Sequence, residues 1–459
     1  MMRAVFPLPV LARVFAAAVF FLLAVPARTA PDTPARDPAV QAVVAGIDRP
    51  RLEATVRGLA AFPTRHTLSG AAGVDAAATW LVGEFGKIAT ASGGRLTVEK
   101  QTWTEPAGNR IPAPALLTNV LATLPGTASP ERIIVISGHY DSRVTDVLDA
   151  KSAAPGANDD ASGVAVVLEV ARAMALSKTC FPATVIFAAV TGEEQGLYGS
   201  AYLAKSLKAQ NKTVVAMFTN DIVGNSHGED GKKDDKRVRV FSAGFDPGAE
   251  PASLARQRAA GTDADSPART LARAVKSAAN RYVKGFGVEL VYRNDRYGRG
   301  GDHTPFLQNG YPFAVRLTEP KEDWRHQHQD LRTENGVRYG DLPEFVDYAY
   351  LRRVAQVNAA IVAELASAPP APANVRLRGD LSAETMLSWD ATPEPIAGYE
   401  ILIRKTTAPD WEKTVPLPTT ESGAVLPFSK DDYLFAVRAV GTTGARGLPS
   451  IPVAGPARP

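Results

Sequence analysis

The sequence predicts an α/β domain on a mostly parallel mixed sheet with helices on both faces, followed by a small all-β sandwich. Three observations carry that expectation. Up to about residue 366, short β-branched apolar runs alternate with helical patterns, the order that builds a largely parallel sheet. The stretch SAPPAPANV, residues 367–375, then reads as a linker. Beyond it the apolar period changes to two, as in half-buried strands.

The elements follow in order. Residues 15–25 are apolar, follow Arg3 and precede the small residues Ala27 and Ala30, so residues 1–30 read as a secretory signal peptide that is removed on export, leaving no membrane span. This places the protein in the periplasm or the medium. Residues 31–366 form the α/β domain. LVGEFGKIA at 81–89 has the three-and-four spacing of a surface helix. Buried strands are expected at 133–137, at 183–190 (ATVIFAAV) and within TVVAMFTND, ending near Phe218, with a helix over 164–177 whose apolar face carries Val164, Val167, Leu168, Ala171 and Ala175. Residues 226–267 turn polar and read as a solvated loop. Helical patterning resumes at 271–282 and 345–365. After a linker at 367–374, residues 375–459 form the sandwich, where Trp389, Tyr399 and Tyr433 recur among alternating strands.

Bulk properties narrow the function. With 51 basic and 48 acidic residues the formal charge is only +3, which argues against nucleic acid as a partner. Cys180 is the only cysteine, so no internal disulfide forms and stability comes from a core or from bound metal.

The chemistry gathers at predicted strand ends. His139 and Asp141 follow the first buried strand, Glu193 and Glu194 the second, and Asp221 the third, while Asp159 and Asp160 enter a helix from GANDDASG. Ligands of open α/β sheets collect at the carboxyl ends of strands, so one rim receives an imidazole and several carboxylates. Such acids either share protons or bind divalent cations. An imidazole among them favours zinc or a similar ion over calcium or magnesium.

The motifs HYDS, GANDDASG, TGEEQGLYGS, TNDIVGN and RHQHQD, in this order and spacing, resemble the zinc aminopeptidases with two co-catalytic metals. That family is related to bacterial leucyl aminopeptidases, glutamate carboxypeptidases and glutaminyl cyclases. The resemblance implies two Zn2+ ions per chain: Asp159 bridges both, His139 and Asp221 complete one site, and Glu194 with a histidine of RHQHQD completes the other. Counting four residues back from Asp330 selects His326 as that histidine, with His328 the fallback. Glu193 is implied as the general base, and the peptide after Asp159 as cis. Asp141, Asp302, His303 and Arg325 are candidate supporting or substrate-contacting residues. Arg325 stands where some relatives carry a tyrosine, and it either steadies an oxyanion or pairs with Asp323. His66 and His227 read as surface residues. From residue 372 to about 455 the chain resembles a fibronectin type III domain, with Trp389 and Tyr433 in its core and Tyr433 as the tyrosine whose hydroxyl reaches the backbone at a strand corner.

The activity these features imply is hydrolysis of peptides with a free N-terminus, and the sandwich is expected to bind substrate or a surface, or to add stability. Glutaminyl cyclisation needs only one metal site. A carboxypeptidase needs a basic pocket, which Arg293, Arg296 and Arg299 are placed to supply. A non-catalytic binding protein fits the sandwich but not the intact acid set.

Overall fold

The computed structural model describes residues 36–454 except Asp380, so the expected signal peptide lies outside the described residues. Among the described residues no helix is long and apolar enough to cross a membrane.

Eight strands form the main sheet: β1 (Thr97–Glu105), β2 (Ala115–Leu124), β3 (Ser129–His139), β4 (Ala183–Val190), β5 (Thr213–Asn220), β6 (Arg237–Phe241), β7 (Gly287–Val291) and β8 (Ala314–Thr318). Their order is β1-β2-β4-β3-β5-β8-β6-β7. The central strands β4, β3, β5 and β8 run parallel, whereas β1, β2 and the β8–β6 junction are antiparallel. β4 is ATVIFAAV, buried along its whole length, as a central strand covered on both faces must be.

The helices are α1 (Pro38–Ala45), α2 (Arg49–Ala60), α3 (Val74–Ala91), α4 (Ala161–Ala175), α5 (Glu193–Gly196), α6 (Tyr198–Ala209), α7 (Pro251–Ala260), α8 (Pro267–Tyr282), α9 (His303–Gln308) and α10 (Tyr348–Ser367). α4 and α10 pack on the central strands beneath α1 and α2, while α6 and α9 pair with each other against β2, β5 and β8. The single apolar stripe expected on α4 is an underestimate. All of its residues except Arg172 are buried, because the sheet lies on one side and α2 and α10 on the other.

The expected loop at 226–267 is corrected by two elements, β6 and α7. Val238 and Val240 of β6 are fully buried between β7 and β8. Alternation with Arg237 and Arg239 in so short a run hid the strand among charges.

After two short hairpin strands, β9 (Arg332–Glu334) and β10 (Val337–Tyr339), the C-terminal segment forms two facing sheets. Their strands are β11 (Arg376–Leu377), β12 (Thr385–Ser388), β13 (Ile396–Lys405), β14 (Lys413–Leu417), β15 (Gly423–Leu426), β16 (Tyr433–Gly441) and β17 (Val453–Ala454), ordered β15-β12-β11-β17 and β14-β13-β16. Alternate residues Tyr399, Ile401 and Ile403 of β13 and Phe435, Val437 and Ala439 of β16 meet Leu387 and Trp389 in a second core. Tyr433 is only partly buried and packs edge-on to Phe428. The tyrosine hydroxyl that reaches the backbone belongs to Tyr399, which accepts from Thr392 N at 2.8 Å.

The other face of the β13–β16 pair is also buried, at Leu402, Arg404 and Ala436. Arg404 reaches Asp265 just before α8 (2.6 Å), and Lys276 on α8 reaches Asp410 (2.6 Å). Ser129 at the start of β3 donates to Glu394 (2.6 Å), and Thr443 donates to Asp37, the N-cap of α1 (2.7 Å).

Candidate metal centre and active site

The parallel strands β3, β4 and β5 end at one rim, and a single side chain locks two of those ends to α4. Asp160 caps α4 through Gly163 N (3.0 Å) and also accepts from His139 N (3.0 Å) and Ile222 N (3.2 Å). The preceding Asp159–Asp160 peptide is cis. Asp341 accepts from the backbone N–H groups of Asn158 (2.8 Å) and Asp159 (2.7 Å), which fixes the loop that carries Asp159.

Two groups of potential ligands share Asp159. His139, Asp159 and Asp221 form one, and Asp159, Glu194 and His328 the other, with the ligating atoms in each within 4.8 Å of one another. His139 Nε2 lies 3.1 Å from Asp159 Oδ1 and 3.9 Å from Asp221 Oδ1. The second oxygen, Asp159 Oδ2, lies 2.8 Å from His328 Nε2, which is 2.9 Å from Glu194 Oε1. One carboxylate therefore offers an oxygen to each group. His139 Nε2 and Glu194 Oε1 are buried and have these short approaches but no well-aligned hydrogen bond, which a cation between the donors would replace. Imidazole nitrogens mixed with carboxylate oxygens are the donor set zinc takes. The residues fit two such ions.

The supporting contacts orient these donors. His139 Nδ1 donates to the backbone oxygen of Asp141 (3.2 Å), which leaves Nε2 facing the carboxylates. The Asp141 side chain is fully buried and accepts from Thr67 Oγ1 (2.9 Å), Glu194 N (3.2 Å) and Glu193 N (3.4 Å). It thus ties β3 to the glutamate pair at the start of α5. Gly192, at φ +70°, makes the turn from β4 into α5, and a Cβ there would sit 3.1 Å from Tyr198. After that turn the adjacent glutamates diverge. Glu194 points to His328, whereas the half-buried Glu193 carboxylate makes no hydrogen bond among the described residues.

The electrostatics reflect a crowd of acids. Burial, reinforced by Asp221, Glu194 and Asp302, pushes Glu193 well above the usual carboxylate range despite His139 nearby. Burial opposes protonation of His139, but Glu193, Asp141 and Asp159 outweigh it and raise its pKa. Divalent cations would reverse this logic and favour the ionised acids. Burial also pushes Asp302 up to about 7, against the opposing pull of His139 and Ser200.

One histidine is corrected. The structure brings His328, not His326, to Asp159 and Glu194. The His326 ring stacks on Phe345 at 3.7 Å, and its Nδ1 lies 3.4 Å from Asp323. A turn from Asp323 O to His326 N (3.0 Å) folds that residue away, and His328 turns inward through a left-handed backbone at φ +52°. Asp330, the reference for the sequence count, is exposed and sets no register. Arg325 takes the plainer of its two expected roles and pairs with Asp323, its Nε 2.7 Å from Oδ1. His303 is buried against Asn294 O (2.9 Å) and lies in neither ligand group. His66 is also fully buried, behind the glutamates, with Nε2 2.9 Å from Val147 O and 3.0 Å from Gln195. His227 is exposed, as expected.

Three site residues escaped the sequence reading. Arg143 Nε lies 2.9 Å from Glu194 Oε2 and its Nη2 2.6 Å from His328 Nδ1, holding both. Arg316, buried in β8, holds Asp221 Oδ2 at 2.8 Å. Asp341 is the third. The available signals were an arginine four residues after His139 and a lone cation within the apolar run AVRLT.

Comparison with known proteins agrees with this geometry. The profile of peptidase family M28 matches residues 119–338, the interval that holds both ligand groups. A probable zinc metalloprotease of Leptosphaeria maculans is 46% identical over 430 residues, covering 92% of this chain and 98% of that protein. The chain belongs to peptidase family M28. A second probable zinc metalloprotease, from Pyricularia oryzae, is 44% identical over 91% of this M28 chain and 85% of its own. Among solved structures, the Legionella pneumophila LapA aminopeptidase shares the fold, with a TM-score of 0.52 and 21% identity over 74% of this chain and 78% of LapA.

Proposed function

We propose that this M28 peptidase is a zinc-dependent aminopeptidase that removes N-terminal residues from peptides, with His139, Asp159 and Asp221 holding one ion and Asp159, Glu194 and His328 the other. The observation that carries this reading is the pair of ligand groups sharing Asp159, with an unbonded glutamate beside them. Two zinc ions bound there would polarise the scissile carbonyl and lower the pKa of attacking water.

The chain's own residues supply the rest. The Glu193 carboxylate takes the proton of the attacking water and passes it to the leaving amine, as a general base lying beside Glu194, Asp221 and His139 can. Asp141 keeps Glu193 and His139 in fixed relation through the α5 backbone. The acidic rim formed by Asp159, Glu194 and Asp221 suits the ammonium group of a free N-terminus. The aminopeptidase activity of LapA supports the same reading. Export is part of the proposal, supported by the apolar leader before residue 30. The C-terminal sandwich is read as a fibronectin type III-like accessory unit.

The test is cleavage of unblocked and N-acetylated aminoacyl-p-nitroanilides, with chelator, with added zinc, and by Glu193→Ala. Zinc-dependent cleavage of unblocked substrates alone, reduced at least about 100-fold in the variant with zinc content intact, is expected. Equal cleavage of acetylated substrates, or a fully active Glu193→Ala, refutes it.

A further inference from the structure

The segment YRNDRYGRGG, residues 292–301, is not used by the reaction described above, yet it runs along the metal centre. The backbone oxygen of Arg299 accepts from Arg316 Nη1 (3.3 Å), and the other terminal nitrogen of Arg316 holds Asp221. Two residues on, Gly301 approaches so closely that a Cβ would lie 3.3 Å from Asp221 Oδ2 and 3.2 Å from Arg316 Nη1. A side chain there would press on both by a few tenths of an ångström.

The guanidinium groups of this segment are unequally satisfied. Arg293 stacks on Tyr297 at 3.5 Å and lies 3.8 Å from Asp295. Arg296 lies 3.0 Å from Glu322, but Glu322 also pairs with Arg239 at 2.7 Å, so one acid serves two cations. Arg299 has no acid partner among the described residues. Its guanidinium is half-buried and lies 4.6 Å from the ring centre of Trp324, a side chain left 45% exposed. Burial and the neighbouring Arg296 lower its pKa, outweighing the more distant acids Asp159 and Glu322. A guanidinium laid on an indole keeps its N–H edge free, in the plane that suits two parallel bonds to a carboxylate. Trp324 itself sits four residues before His328, so the stack joins the loop beside one ligand group to the loop that completes the other.

We infer that Arg299, held on Trp324, is a specificity-determining residue that binds a carboxylate of the substrate, which makes short peptides with a free C-terminus, or peptides with an acidic side chain beside the cleaved bond, the favoured substrate class. This rests on the aminopeptidase reading for the other end of the peptide. An ammonium at the acidic rim and a carboxylate at Arg299 give the substrate two anchors of opposite sign.

The experiment compares Leu-Gly with Leu-Gly-amide, and Leu-Asp-amide with Leu-Asn-amide, on the zinc-loaded full chain. The expected preference for the carboxylate-bearing member of at least one pair is about tenfold in kcat/KM, mainly through KM. That ratio should collapse in Arg299→Gln, persist in part in Arg299→Lys, and shrink in Trp324→Ala. The first pair reports a terminal carboxylate, and the second an acidic side chain. Binding of the same peptides to Glu193→Ala, with and without Arg299→Gln, gives a readout free of turnover. Equal ratios in all enzymes, or a preference that survives Arg299→Gln, overturn the inference. Loss of all hydrolysis, with the Arg299-dependent binding preference intact, refutes the aminopeptidase reading alone.

Discussion

Replacing His328 and His326 separately by alanine is the decisive perturbation of the metal centre. The His328 Nε2 atom lies 2.8 and 2.9 Å from the oxygens of Asp159 and Glu194, so His328→Ala reduces a three-donor site to two carboxylates. Losing a residue that merely orients a ligand typically costs 10–100-fold in metal affinity. Loss of the ligand itself should therefore cost at least about 100-fold, or roughly 2.7 kcal/mol of binding. Arg143 would also lose its imidazole contact and keep only Glu194. His326→Ala removes instead a ring stacked on Phe345 and a contact with Asp323, worth about 1 kcal/mol of stability and no metal. Zinc content after dialysis, with competition against a chromophoric chelator, separates the two. His328→Ala should retain about one ion under conditions where His326→Ala retains two. A His326→Ala protein that loses an ion while His328→Ala keeps both would refute the reasoning.

Other predictions follow from neighbouring contacts. Asp141→Ala breaks the link between the glutamate pair and β3, so zinc affinity should fall about 10–100-fold, measurable by the same titration. His303 is held neutral by burial, its pKa down from 6.5 to about 4. Because the unfolded chain takes up a proton first, this contribution is complete above pH 6.5 and is lost as pH falls towards 4, roughly 3 kcal/mol in all. His303→Gln should flatten the dependence of unfolding free energy on pH in that window, and an unchanged slope would exclude the role. Asp265→Ala strands the buried guanidiniums of Arg273 (3.1 Å) and Arg404 (2.6 Å), so chemical denaturation should show a loss of about 3–5 kcal/mol.

Elements built from long apolar runs were legible. The β4 strand is bounded as expected, because Pro182 before it and Thr191-Gly192 after it leave eight apolar or small residues between. The candidate ligands at strand ends were placed for a related reason: a polar residue that directly follows a buried strand sits at the rim. β6 was not, since two valines between arginines look like surface until β7 and β8 flank them. The histidine was misassigned because residues 323–330 form turns, where a shift of two positions reverses which ring points inward. Arg143 and Arg316 were invisible because charge in a sequence carries no partner, and only folding sets Arg316 against Asp221.

The two ends of the described chain are fastened together. Asp37 caps α1 through Ala39 N (2.8 Å), takes a hydrogen bond from Thr443 (2.7 Å), and donates its own N–H to the Tyr282 hydroxyl (3.0 Å). With the contacts from Asp265, Lys276 and Glu394, this makes the C-terminal sheets a buttress rather than a pendant bead. A chain shortened after residue 374 would leave Lys276 without its mate and Asp265 with Arg273 alone. The hinge freedom that a Pro/Ala connector normally grants has been surrendered here. The module is therefore wedded to this particular peptidase surface, and grafting it onto an unrelated enzyme would carry over a fold but not its seat.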